Sequence, residues 1–75
     1  MFIFKSKAKK ELDGLIFDIK INLQNNYKSL AHEARKALGQ RTEELFAEGK
    51  INEKDYKKYI SVFDEYTEML KDYHH

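Results

Sequence analysis

The sequence predicts an all-α fold, a three-helix bundle or helical hairpin with a long first helix, a short second helix and an antiparallel third. Three observations carry this expectation. Tyr56, Phe63 and Leu70 recur every seven residues and interleave with Tyr59, Tyr66 and Tyr73, the three-four repeat of a helix face pressed along another helix. The chain has no Pro and only three Gly, so little interrupts helical periodicity. A capped turn at Glu48–Asn52 then sets two helices back to back.

The first helix is expected over about 7–38. Ser6 is a candidate N-cap. Leu12, Leu15, Ile16, Ile19, Leu23, Tyr27, Leu30, Ala34 and Leu38 keep one face at a period near 3.6. Gly39 reads as the residue that closes this helix, with Arg35 and Lys36 in a last turn where cations suit the dipole. An alternative stripe through Leu30, Ala34, Leu38, Thr42 and Leu45 would leave Gly39 inside one continuous helix, at a cost of about 1 kcal/mol relative to Ala. The break is the expectation adopted. A short second helix follows over about 41–48, with Glu43 and Glu44 in its first turn and Leu45 and Phe46 facing the core. Gly49 can take the left-handed conformation that ends it. Asn52 can cap the third helix, over about 53–73, with Ile51 and Tyr56 in the places of a hydrophobic staple. Ala31, Ala34 and Ala37 make room for the tyrosines of that third helix.

Within this turn, Leu45, Gly49, Ile51, Asn52, Asp55 and Tyr56 resemble the Leu…Gly-x-Ile-Thr-x-x-Glu-Phe hairpin of the bacterial short C-terminal (SHOCT) domains. The resemblance covers residues 45–60. Asn52 stands where Thr is usual, Asp55 where Glu is usual and Tyr56 where Phe is usual. It implies a small helical adaptor that works by oligomerisation or interaction. The first helix has no counterpart in that family, so no functional residue is carried over.

Seventy-five residues form a single helical domain over 1–75. Such a chain buries only about 60% of its unfolded surface and needs a further support. The usual supports are disulfides, metal or oligomerisation, and with no Cys, disulfides and thiolate metal sites are excluded. No apolar run approaches the ~18 residues of a spanning helix, and no secretory signal is recognised at Met1-Phe2-Ile3-Phe4-Lys5, so a cytoplasmic location is expected. Charge is unevenly spread: residues 1–41 hold nine Lys/Arg against four Asp/Glu, and residues 42–75 hold five against nine. This division suits a basic helix packed beside an acidic one.

Function is read as contact rather than chemistry. Phe17 and Ile21 lie one turn apart and roughly opposite Leu12, Ile16, Ile19 and Leu23 on the helical wheel, with Gly14 beside them. A single helix–helix contact covers only one of these faces. Three covers are open to the other face: Phe2, Ile3 and Phe4 folding back, a second copy, or another protein or ligand. The expectation adopted is a small interaction or scaffolding protein that forms a homodimer through Leu12, Leu15, Ile16, Phe17, Ile19, Ile21 and Leu23. The alternative is a nucleic-acid or membrane-surface binder that uses Lys5, Lys7, Lys9 and Lys10 on an anionic partner. No set of residues with nucleophile–base or metal-ligand spacing can be assembled, so no enzyme activity, cofactor or small-molecule substrate is expected. His32 stands alone beside Glu33. His74 and His75 are native or a tag remnant, and adjacent positions on a helix do not share a face.

Overall fold

A computed structural model describes residues 6–71 and contains three helices, with no strand among these residues. Helix α1 spans Lys7–Gln24, α2 spans Lys28–Ala47 and α3 spans Glu53–Leu70. The all-helical class is therefore as the sequence predicts, but the helices divide elsewhere.

The expected first helix of 7–38 ends at Gln24. Asn26 adopts φ = 61°, which Asn tolerates better than most residues. The Tyr27 N–H donates to the Asn22 carbonyl (2.7 Å), and the Asn26 N–H donates to the Leu23 carbonyl (3.1 Å). This is a complete Schellman closure with Asn in the place usually taken by Gly. Periodicity ran through this turn because Tyr27 and Leu30 continue the spacing of Leu23. Both are more than half exposed, so neither belongs to the core.

Gly39, expected to end a helix, instead lies buried in the middle of α2, which continues to Ala47. There is thus no separate helix over 41–48. Arg35 and Lys36 sit mid-helix rather than in a last turn. The continuous stripe of Ala34, Leu38, Thr42 and Leu45 is the one that packs, although Leu30 faces solvent. A side chain at Gly39 would meet the Phe63 ring, because an added Cβ would stand 2.6 Å from its Cε1. The close approach of α3 is what the glycine supplies.

The second turn is the one read from the sequence. Gly49 has φ = 75°, the Lys50 N–H donates to the Leu45 carbonyl (2.8 Å), and the Gly49 N–H donates to the Phe46 carbonyl (3.0 Å). The Asn52 side chain accepts from the Asp55 N–H (2.8 Å), and Ser6 does the same for Lys9 (3.1 Å) at the start of α1. Tyr73, placed at the end of the third helix by the sequence, lies outside the described residues.

Cross-helix contacts set the directions. Arg41 on α2 meets Glu11 on α1, and Arg35 on α2 meets Thr67 on α3, so each hairpin is antiparallel. Lys9 meets Asp55 and Tyr59 meets Asp13, so α1 and α3 run parallel. Ala8, Leu12 and Ile19 from α1, Ala31, Leu38 and Leu45 from α2, Ile51, and Tyr59, Tyr66 and Leu70 from α3 form the core. Leu15, Ile16, Leu23, Ala34, Tyr56, Val62 and Phe63 pack around it. Thr42 is the buried polar member, and its hydroxyl donates to the Leu38 carbonyl one turn back (2.7 Å).

Candidate interaction surface

The residues predicted to form an interface divide into two groups. Leu12 and Ile19 are fully buried inside the chain's own bundle, and Leu15, Ile16 and Leu23 pack at its margin. Leu12 and Ile19 are thus enclosed by the chain's own bundle and leave no surface for a second copy, while Leu15, Ile16 and Leu23 are partly buried against that core. The physical reason is that three helices, not two, enclose this face of α1. Phe17 and Ile21 point the other way. Phe17 is 61% exposed and Ile21 is 36% exposed.

Lys7, Lys10, Gly14, Phe17, Ile21 and Gln24 are all exposed and follow one another at three- and four-residue steps. They therefore form one stripe along the outside of α1. Gly14 lies within it, and among the described residues nothing lies within 4 Å of where its Cβ would be. The stripe is thus apolar in its middle, with an absent side chain on one side of Phe17 and a branched aliphatic on the other. Phe2, Ile3 and Phe4, the expected cover from within the chain, lie outside the described residues.

Two further surfaces carry exposed apolar side chains. Tyr27 and Leu30 at the start of α2 and Met69 near the end of α3 lie at one end of the bundle. At the other end Phe46 and Tyr56 stack with ring centroids 4.3 Å apart. The Tyr56 hydroxyl donates to Glu43 (2.7 Å), a carboxylate bond that raises its pKa above the usual phenol value.

Between α2 and α3 runs a shallow groove of about 400 Å³ lined by Arg35, Lys36, Gly39, Gln40, Glu43, Ile60 and Phe63. Arg35 is its most constrained member. Its guanidinium lies 5.1 Å over the Phe63 ring and donates to the Thr67 hydroxyl (2.9 Å). Its other terminal nitrogen lies 3.3 Å from His32 Nε2. The histidine read as a lone polar residue is thus packed against an arginine. The buried Nε of Arg35 has no acceptor among the described residues.

The basic cluster is partly consumed. Lys9 pairs with Asp55 (3.1 Å), Lys7 and Lys10 have no carboxylate partner among the described residues, and Lys5 lies outside them. Arg41 binds Glu11 through two nitrogens and Glu44 through one (2.6 Å). The guanidinium holds the Glu11 carboxyl below the usual range. Tyr59 is the anchor between α1 and α3: its ring is buried and its hydroxyl donates to Asp13 Oδ1 (2.8 Å). Burial, then that carboxylate, pushes the phenol well above its ordinary value.

Among the described residues no group of His, Asp and Glu is arranged to hold a metal ion, and no helix is long and apolar enough to cross a membrane. No protein-family model matches the chain, and comparison with curated proteins and with solved structures gives no match.

Proposed function

We propose that this chain is a small, non-catalytic interaction or scaffolding module that acts by self-association through the outer face of α1. The observation that carries the reading is the placement of Phe17 and Ile21 beside the open Gly14 on the side of α1 turned away from the core. Full burial of one such side chain stabilises by about 1.5–3 kcal/mol, a gain that this bundle leaves unused at Phe17. The resemblance of the α2–α3 turn to the short C-terminal domains supports the same class of function. Light scattering on a sizing column across a concentration series tests it. The wild-type chain gives a dimer mass that falls on dilution, and Phe17→Asp with Ile21→Asp gives a monomer with unchanged helical circular dichroism. A double variant that keeps the wild-type mass assigns association to another surface.

A second reading is supported by Lys7 and Lys10, which no described carboxylate neutralises. In it the start of α1, with Lys5, contacts nucleic acid or an anionic membrane surface. Such binding weakens steeply with salt. Titration of duplex DNA, RNA and phosphatidylserine vesicles at about 50 mM salt checks it, and absence of binding at micromolar protein removes it.

A further inference from the structure

Arg35 and Arg41 are the arginines of this chain, and their surroundings differ. Arg41 is held by the carboxylates of Glu11 and Glu44. Arg35 meets no carboxylate among the described residues. Its contacts are the Thr67 hydroxyl, the His32 ring and the face of Phe63. Its Nε is buried with no acceptor among those residues. A guanidinium packed against protein on several sides has already lost part of its water. An arriving carboxylate is therefore screened less than it would be at a free surface arginine.

The cation is also held in place beforehand. Arg35 donates to Thr67 (2.9 Å), whose hydroxyl donates in turn to the Phe63 carbonyl (2.8 Å). The Phe63 ring lies 5.1 Å from the guanidinium carbon. A fork fixed in this way loses less freedom on binding than a mobile side chain does.

Arg35 stands at one end of the groove of about 400 Å³ between α2 and α3. Lys36 beside it is exposed and likewise pairs with no described carboxylate. Gly39, Ile60 and Phe63 supply apolar lining, and Glu43 lies at the other end. Arg35 and Glu43 are eight residues apart, about 12 Å along α2. Glu43 repels an anion, so the negative end of an occupant belongs at Arg35 and its apolar body toward Ile60. The volume falls at the low end of small-molecule sites, about 300–1,000 Å³. A stable protein partner covers about 800 Å² on each side, more than a groove of this length offers.

The residues beyond α1 and α3 bear on the same point. Residues 1–5 hold no Asp or Glu, and residues 72–75 hold Asp72. Phe2, Ile3 and Phe4 laid on the apolar lining would leave Arg35 and Lys36 without a counter-charge.

We infer that this groove binds a small organic carboxylate, with the anion on Arg35 and Lys36 and an apolar body of about one ring against Gly39, Ile60 and Phe63. The inference is independent of the self-association proposed above, which uses the outer face of α1.

Phenylacetate is the probe, titrated into the full chain at about pH 7, where its carboxyl is ionised. Backbone amide shifts in nuclear magnetic resonance are expected around residues 35–43 and 60–67, saturating with a Kd on the order of 1 mM. Acetate keeps the charge without the ring, and benzyl alcohol keeps the ring without the charge. Each should bind about tenfold more weakly or worse. Arg35→Gln, with its helical circular dichroism retained, should weaken phenylacetate about tenfold or more. Lys36→Gln, at an exposed position, should weaken it about two- to threefold, and Lys10→Gln on α1 should leave it unchanged. If Arg35→Gln unfolds the bundle, Lys36→Gln and the two control ligands decide the matter.

Acetate binding as tightly as phenylacetate would overturn the inference, since the apolar lining would take no part. Shifts centred on Lys7 and Lys10, or binding that neither Arg35→Gln nor Lys36→Gln weakens, would place the anion elsewhere and overturn it too. The same holds if wild type shows no saturable binding, and binding that then emerges in Asp72→Asn would identify the chain's own carboxylate as the occupant.

Discussion

Gly39→Ala is the most exposing test of the packing between α2 and α3. On an isolated helix the substitution would stabilise by about 1 kcal/mol. Here the new methyl would stand 2.6 Å from Cε1 and 2.8 Å from Cδ1 of Phe63, well inside contact distance. The ring has little freedom to give way. It is half-buried at the edge of the core, and the Arg35 guanidinium lies across it. That guanidinium is itself held by Thr67, whose hydroxyl donates to the Phe63 carbonyl (2.8 Å). Overpacking of this kind costs about 1–3 kcal/mol, so the net effect is a loss of about 0–2 kcal/mol. Urea unfolding followed by helical circular dichroism measures it, with an unchanged slope showing that stability alone has moved. Gly14→Ala, which no described residue approaches, supplies the control and gains up to about 1 kcal/mol in the monomer. In a Phe63→Ala background the obstruction is gone, and Gly39→Ala should then stabilise as Gly14→Ala does, a coupling read directly from the double-mutant cycle. If Gly39→Ala stabilises the wild-type bundle as much as Gly14→Ala, the close approach of α3 at this point is wrong.

Tyr59→Phe removes the hydroxyl that joins α3 to Asp13 of α1 and should cost about 1.5 kcal/mol in the same urea assay. The phenol's raised pKa also fixes a pH dependence: below about pH 10 both folded and unfolded Tyr59 keep the proton and the stabilisation is intact. Above that value the unfolded chain ionises first, so stability falls as pH rises, and Tyr59→Phe should lessen the fall between pH 9 and 11. Equal slopes in the two proteins would show that Tyr59 is not the group responsible. Asn26→Ala puts a β-carbon residue with weaker left-handed tolerance at φ = 61° and should lose about 1 kcal/mol, whereas Asn26→Gly should be neutral or better. An Asn26→Ala protein as stable as wild type would mean that the α1–α2 turn does not need this conformation.

The two turns show why some boundaries can be read from the sequence and others cannot. At Glu48–Asn52 every local signal agrees: Gly49 for the left-handed residue, Asn52 for the cap, Ile51 for the buried flank. At Asn25–Tyr27 the same closure is built with Asn26, no side chain caps the helix that follows, and Lys28 stands in its first turn where the dipole disfavours a cation. Meanwhile Tyr27 and Leu30 prolong the apolar rhythm of α1 although both end up in solvent. A pattern of spacing alone cannot distinguish an apolar residue that packs from one that merely falls in step. Gly39 is ambiguous for a related reason. Glycine permits both a helix end and a close helix–helix approach, and only the position of Phe63 chooses between them.

The surface divides in the same way. That α1 carries apolar residues on two faces follows from the order of its side chains, because a helix of 3.6 residues per turn leaves Phe17 opposite Ile19 whatever surrounds it. The helical class and the identity of Tyr59, Tyr66 and Leu70 as a packing edge follow from the same period, and the Gly49 closure and the Asn52 cap from local chemistry. Only the tertiary structure decided which face of α1 its own chain covers. Folding α2 and α3 over Leu12 and Ile19 satisfied that face, left Phe17 and Ile21 outside, and placed Gly39 beneath the Phe63 ring. Those outcomes depend on contacts between residues far apart in the chain, which no local pattern encodes.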